Sequence, residues 1–151
     1  MEMLWQCIGA FVAVAGFGTV LGVPKKLLLW AGIDGALGWM TYLVVFHSTS
    51  SVVFGSFVGA VVISTWAHVC ARIFKTPVTL FLIPANMTLV PGAGMYRIVY
   101  NILKSENGMA NFYLLQTLQV AGVIALAIFI VNVIFSSVAA LKKMTVAGRK
   151  H

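Results

Sequence analysis

The sequence predicts an all-α integral membrane protein with five transmembrane helices, the fourth broken into two half-helices, the amino terminus outside and the carboxyl terminus cytoplasmic. Three observations carry that expectation. Of 151 residues 61% are hydrophobic, mean hydropathy is +1.01, and charge is limited to ten Lys/Arg and three Asp/Glu. Apolar runs of crossing length alternate with short polar or basic breaks, and one such run carries prolines and glycines in its middle. A hydrocarbon core about 30 Å thick takes roughly 20 helical residues to cross, which leaves room for about five crossings with short connections. Residues 1–141 therefore read as a single polytopic membrane domain and 142–151 as a basic cytoplasmic tail.

The first run, Leu4 to Val23, has Glu2 as its only neighbouring charge at the amino-terminal side and no small-residue cleavage site before a polar chain, so it reads as an anchor. Pro24, Lys25 and Lys26 end it. The second run, Leu27 to Phe46, contains Asp34 and the glycine ladder Gly32, Gly35, Gly38, and a polar turn of His47 to Ser51 follows. The third, Val52 to Ile73, stops at Arg72, Lys75 and Pro77, where proline's fixed φ and missing amide disfavour continuation. The last, Phe112 to Leu141, is about 45 Å long at 1.5 Å per residue and should project from the bilayer before Lys142, Lys143, Arg149 and Lys150.

Between them, Pro77 to Leu103 is long enough to cross, yet Pro84, Pro91, Gly92 and Gly94 prevent one regular helix. It either spans as two half-helices or re-enters and leaves on the same side. Charge decides, because short loops rich in Lys/Arg stay cytoplasmic. Five crossings with the amino terminus outside put Lys25, Lys26, Arg72, Lys75, Lys142, Lys143, Arg149 and Lys150 inside, which is eight of the ten basic residues.

A break inside the bilayer leaves peptide groups unpaired, at several kcal/mol each in hydrocarbon, so it must face a cavity, a ligand or a partner. Pro91 suits the first position of a half-helix, and Gly92 and Gly94 leave the backbone after it open to close approach. The resulting partly positive helix start attracts carboxylates, and discontinuous helices are a recurring way of holding a transported solute. Asn86 and Thr88 precede it; Tyr96 and Arg97 lie one turn beyond. The competing reading is a proline kink packed against neighbours with Arg97 snorkelling outward.

Asp34 is the one acid deep in an apolar run. Charged at a helix centre it costs about 2.5–3.5 kcal/mol, while the Leu, Ile, Val and Phe residues around it return roughly 3–5 kcal/mol, so the segment inserts but should not face lipid. It is a candidate partner for a substrate ammonium or a coupled proton, or else a neutral structural carboxyl between helices. Gln116, Thr117, Gln119 and Asn132 put polar groups along the last run, either lining a pathway or tying helices together. The pairs Gly18/Gly22 and Gly55/Gly59 read as helix-packing GxxxG motifs. His47 reads as a loop residue and His68 as lying near the cytoplasmic boundary, while Trp5, Trp30 and Trp66 fit interfacial anchoring.

Several classes are excluded. A net charge of +7 does not signal nucleic acid without a solvated basic face. Cys7 and Cys70 sit in apolar runs without metal-ligand spacing, and no Walker motif, HExxH, GxSxG or paired carboxylates occur, so no metal, cofactor or enzymatic activity is expected.

The segment PANMTLVPGAGMYR, Pro84 to Arg97, resembles the threonine/serine exporter family, specifically its small-subunit or carboxyl-terminal membrane domain, through Leu89, Val90, Pro91, Gly92, Ala93, Tyr96 and Arg97. The surrounding arrangement of short apolar helices extends the resemblance over essentially the whole chain. It implies a secondary exporter subunit of a bacterial-type plasma (inner) membrane, working with a larger membrane subunit. The implied cargo is a small polar substrate: amino acids such as threonine and serine in one branch, a dicarboxylate such as succinate in another. Substrate binding then falls to Asn86, Thr88, Pro91, Gly92, Gly94, Tyr96 and Arg97. Asp34 becomes the proton or ammonium partner, and Gln116, Gln119 and Asn132 become pathway candidates. Five helices give few walls for a gated path, so a partner subunit or a higher oligomer is expected. A non-transporting assembly or scaffold subunit is the competing class.

Overall fold

In the computed structural model, the described residues are 2–148, with side chains described as far as Ala140; Lys142, Lys143, Arg149 and Lys150 lie outside the described side chains. Six helices make up the described chain: α1 (Glu2–Val20), α2 (Lys25–Thr49), α3 (Val52–Phe74), α4 (Thr79–Asn86), α5 (Gly92–Leu103) and α6 (Asn107–Gly148). Four of them, α1, α2, α3 and α6, are long and apolar enough to cross a membrane. Helices α4 and α5, of 8 and 12 residues, are about 12 and 18 Å long, and neither crosses alone.

The helix ends follow from local chemistry. α1 stops where Gly22 turns left-handed (φ 75°) and the Val23 amide donates back to Gly18 O at 2.8 Å, so Gly22 is a terminator and not half of a packing pair with Gly18. α2 runs on through His47, Ser48 and Thr49, shortening the expected polar turn to Ser50 and Ser51. The Ser48 and Thr49 hydroxyls donate to Val44 O and Val45 O, one turn back, so these residues need no water-facing loop to satisfy them. Ser51 then caps α3 by accepting from the Phe54 amide at 3.2 Å. Lys75, left-handed at φ 52°, closes α3 just before Pro77.

Small residues let the first three helices meet closely. A methyl group added at Gly32 would lie 2.7 Å from the Phe11 ring; one at Gly35 would overlap Val14, and one at Gly38 would overlap Ile63. Gly59 faces the Gly38 carbonyl and the Leu89 side chain, and Gly55 faces Tyr42, so this second GxxxG pair does pack helices. The core gathers Val14, Ala31, Ala60, Ile63, Ala67, Phe81, Ala85, Leu89 and Ala127. Trp30 and Trp66 stack on each other at 6.4 Å between α2 and α3, while Trp5 is exposed.

Helices α3 and α6 run in the same direction. Val52 and Ser56 share a cavity wall with Gln116, Thr117 and Val120, His68 meets Asn132, and Arg72 donates to Phe135 O at 3.0 Å. Two parallel helices need a return path between them. That path is α4, the break at Met87–Pro91 and α5: α4 packs against α1, α2 and α3, whereas α5 packs along α6, bringing Gly94 beside Thr117 and Arg97 beside Tyr113.

Candidate functional site

The break is built by residues that cannot complete a helix. Pro84 removes one donor inside α4, whose end tightens as Met87, Thr88 and Leu89 donate to Pro84, Ala85 and Asn86 carbonyls three residues back. The Gly92 amide then bonds to Val90 O at 2.7 Å, and α5 starts with Pro91 as the residue before its first turn. Pro91 therefore stands one position earlier than an N1 proline, and it offers no side-chain cap. The first-turn amides of Ala93 and Gly94 have no helical partner, and none of the bonds within the break uses the Thr88 or Leu89 carbonyls.

These groups border a cavity of about 260 Å³. Its walls are Trp39 and Tyr42 from α2, Val52 and Ser56 from α3, Thr88 to Gly94 from the break and the start of α5, Arg97 from α5, and Gln116, Thr117 and Val120 from α6. Arg97 is held by the face of Tyr113, its guanidinium carbon 5.4 Å from the ring centroid, so the charge is positioned without being neutralised. The chain's acids are Glu2, Asp34 and Glu106, and no carboxylate is among the lining residues. The arrangement offers one fixed cation, two free amides, the Thr117 hydroxyl and the Gln116 amide, which is donor chemistry suited to an anionic oxygen.

The sequence-derived candidates divide between this cavity and elsewhere. Thr88, Pro91, Gly92, Gly94, Arg97 and Gln116 come together in its wall. Tyr96 does not: it is 68% exposed and stacks on Tyr100 at 6.0 Å. Asn86 donates to Leu82 O at 2.9 Å and leaves its buried Oδ1 unpartnered outside the cavity wall. Gln119 is exposed on another side of α6, and Asn132 meets the His68 ring at 3.4 Å toward the opposite end of that helix. Asp34 is fully buried, neither of its oxygens has a hydrogen-bond partner, and it does not line the cavity.

Sequence reasoning missed Trp39, Tyr42 and Ser56 in this wall. A signal existed. Trp39 is a polar-tipped aromatic well inside its run, with Tyr42 one turn on and the two rings 5.0 Å apart, whereas a Trp serving as a membrane anchor belongs at the run's ends.

The family model described as "Threonine/Serine exporter, ThrE" matches residues 6–134, a stretch that includes the whole break and its cavity. An uncharacterised protein of Haemophilus influenzae is 27% identical over 105 residues, covering 69% of this chain and 35% of its own length. The chain thus spans about a third of that relative. No solved structure matches it. With a family match over most of its length and helices suited to multiple membrane crossings, the chain belongs to the threonine/serine exporter family.

Proposed function

We propose that this chain is a membrane subunit of a secondary exporter for small polar carboxylates, with amino acids such as threonine and serine as its first candidates, acting with a larger membrane subunit. The observation that carries the reading is the convergence of Arg97 and the unpaired first-turn amides of α5 on one cavity beside the break. The substrate carboxylate sits against these donors. An α-ammonium finds the Trp39 and Tyr42 rings and the Thr88 and Leu89 carbonyls, not Asp34. A dicarboxylate is the second candidate, favoured by the absence of any acid among the lining residues.

The return path through α4 and α5 supports five crossings. Lys25 and Lys26 at the start of α2 and Arg72 and Lys75 at the end of α3 lie at the same end of the bundle, which supports a cytoplasmic location for that end and an outward amino terminus. The bacterial relative supports a bacterial inner membrane. Asp34 belongs to the coupling side of the reading. A bare carboxylate buried among apolar helices has nothing to balance its charge, so a proton, or a cation passing through, is its partner. Efflux from cells expressing this chain with its larger subunit tests the proposal: Arg97→Ala lowers export of threonine, serine or succinate at least tenfold, and export unchanged by that substitution rejects the site.

A further inference from the structure

The cavity has an apolar neighbour. A groove of about 330 Å³ lies along α1, lined by Gln6, Gly9, Ala10 and Ala13, and its remaining lining residues, Trp39 and Thr88, also line the cavity beside the break. The two spaces are thus back to back across one indole and one threonine. Trp39 is fixed between them: its indole N–H donates to Gln6 Oε1 at 3.3 Å, and its ring packs on Tyr42. On one side of this partition are a guanidinium, free amides and hydroxyls; on the other are small apolar residues of α1. At Gly9 the groove is unfilled, since a methyl group added there meets nothing within 4 Å.

We infer that the groove is a side-chain subsite of the same binding site, so that the chain accepts α-amino carboxylates with unbranched apolar side chains longer than that of threonine. The inference rests on the carboxylate-binding reading above and extends it. The head group stays with Arg97 and the start of α5, and the side chain passes Thr88 and Trp39 to lie against Gly9, Ala10 and Ala13. The adjacency of the groove to the cavity across the shared wall of Thr88 and Trp39 is the reason for assigning the groove to the substrate and not to a lipid tail. In this arrangement Gly9, Ala10 and Ala13 set the side-chain length accepted, and Arg97 does not.

The test is ligand binding to the full-length protein in lipid nanodiscs, read by calorimetry with threonine, 2-aminobutanoate, 2-aminopentanoate and 2-aminohexanoate. Each added methylene that leaves water for an apolar subsite raises affinity by about fourfold. The wild-type protein should show that rise from 2-aminobutanoate to 2-aminopentanoate to 2-aminohexanoate. Gly9→Leu, which fills open space, should flatten the rise while leaving threonine affinity within about twofold, and Ala13→Leu should do the same from the next turn. A flat wild-type series with threonine binding intact overturns the side-chain subsite and leaves the exporter reading standing; it is the result expected if a lipid tail occupies the groove. A rise that persists unchanged in both variants also overturns the inference. Absence of binding by every ligand, threonine included, overturns the subsite together with the amino-acid reading of the carboxylate site.

Discussion

Gly94 on α5 and Thr117 on α6 are so close that a methyl group on Gly94 would take the space of the threonine hydroxyl oxygen. This is where the second half-helix is held against α6 at the cavity wall, and both residues line the cavity. Gly92, two positions earlier, faces open space.

Gly94→Ala should therefore push α5 off α6, at about 1–3 kcal/mol of overpacking, and lower substrate affinity at least tenfold. Gly92→Ala should be near neutral. The Thr117 Cβ lies 3.6 Å from the added methyl, an ordinary contact, so Gly94→Ala with Thr117→Ala relieves the overlap. Thermal unfolding of the three purified variants checks this, and an equal loss from Gly92→Ala would refute the packing argument.

Arg97 is a cation positioned by an aromatic face. Charge-assisted hydrogen bonds contribute about 1.5–3 kcal/mol, so Arg97→Ala should weaken carboxylate binding roughly ten- to hundredfold. Arg97→Lys should recover part of it, since an ammonium keeps the charge but loses the planar fork. Titration calorimetry reads both, and equal affinities for Lys and Ala would contradict a charge-based role.

Asp34 lies away from the cavity and has no hydrogen-bond donor. Asp34→Asn is close to isosteric with a neutral acid and should leave substrate affinity within about twofold while lowering gradient-driven efflux at least tenfold. Loss of binding together with efflux would assign Asp34 to the substrate; loss of neither would leave it structural.

Gly38 meets Ile63 with no space between them. Gly38→Ala should destabilise the α2–α3 contact by about 1–3 kcal/mol, visible as a lowered unfolding midpoint, whereas Gly9→Ala on α1 should leave it unchanged.

Topology is testable with single cysteines in a Cys7→Ser, Cys70→Ser background. A membrane-impermeant maleimide should label Ser105→Cys, between α5 and α6, from outside intact cells, and label Thr76→Cys, between α3 and α4, only after permeabilisation. Labelling of both from the same side would make α4 and α5 a re-entrant pair.

The long helices and the break were legible because apolar run length, proline and glycine act locally. Which side chains share a cavity is a long-range matter. Gln116 and Gln119 share a face by spacing, yet the cavity wall takes Gln116, Thr117 and Val120 and leaves Gln119 exposed, because α6 is contacted there by α5 and α3 at one angle only. Tyr96 and Arg97 are neighbours in sequence but part company for the same reason: successive helical residues sit about 100° apart, and only one of them turns toward α6. Trp39, Tyr42 and Ser56 were hidden because nothing local tells which helix the broken segment will lie against.

The most direct test of a carboxylate site at the break is threonine and succinate binding to the purified full-length chain in nanodiscs, measured for wild type, Arg97→Ala and Gly94→Ala. The account predicts saturable binding of at least one ligand to wild type and a drop of tenfold or more in both variants. Saturable binding of equal strength in all three would contradict it.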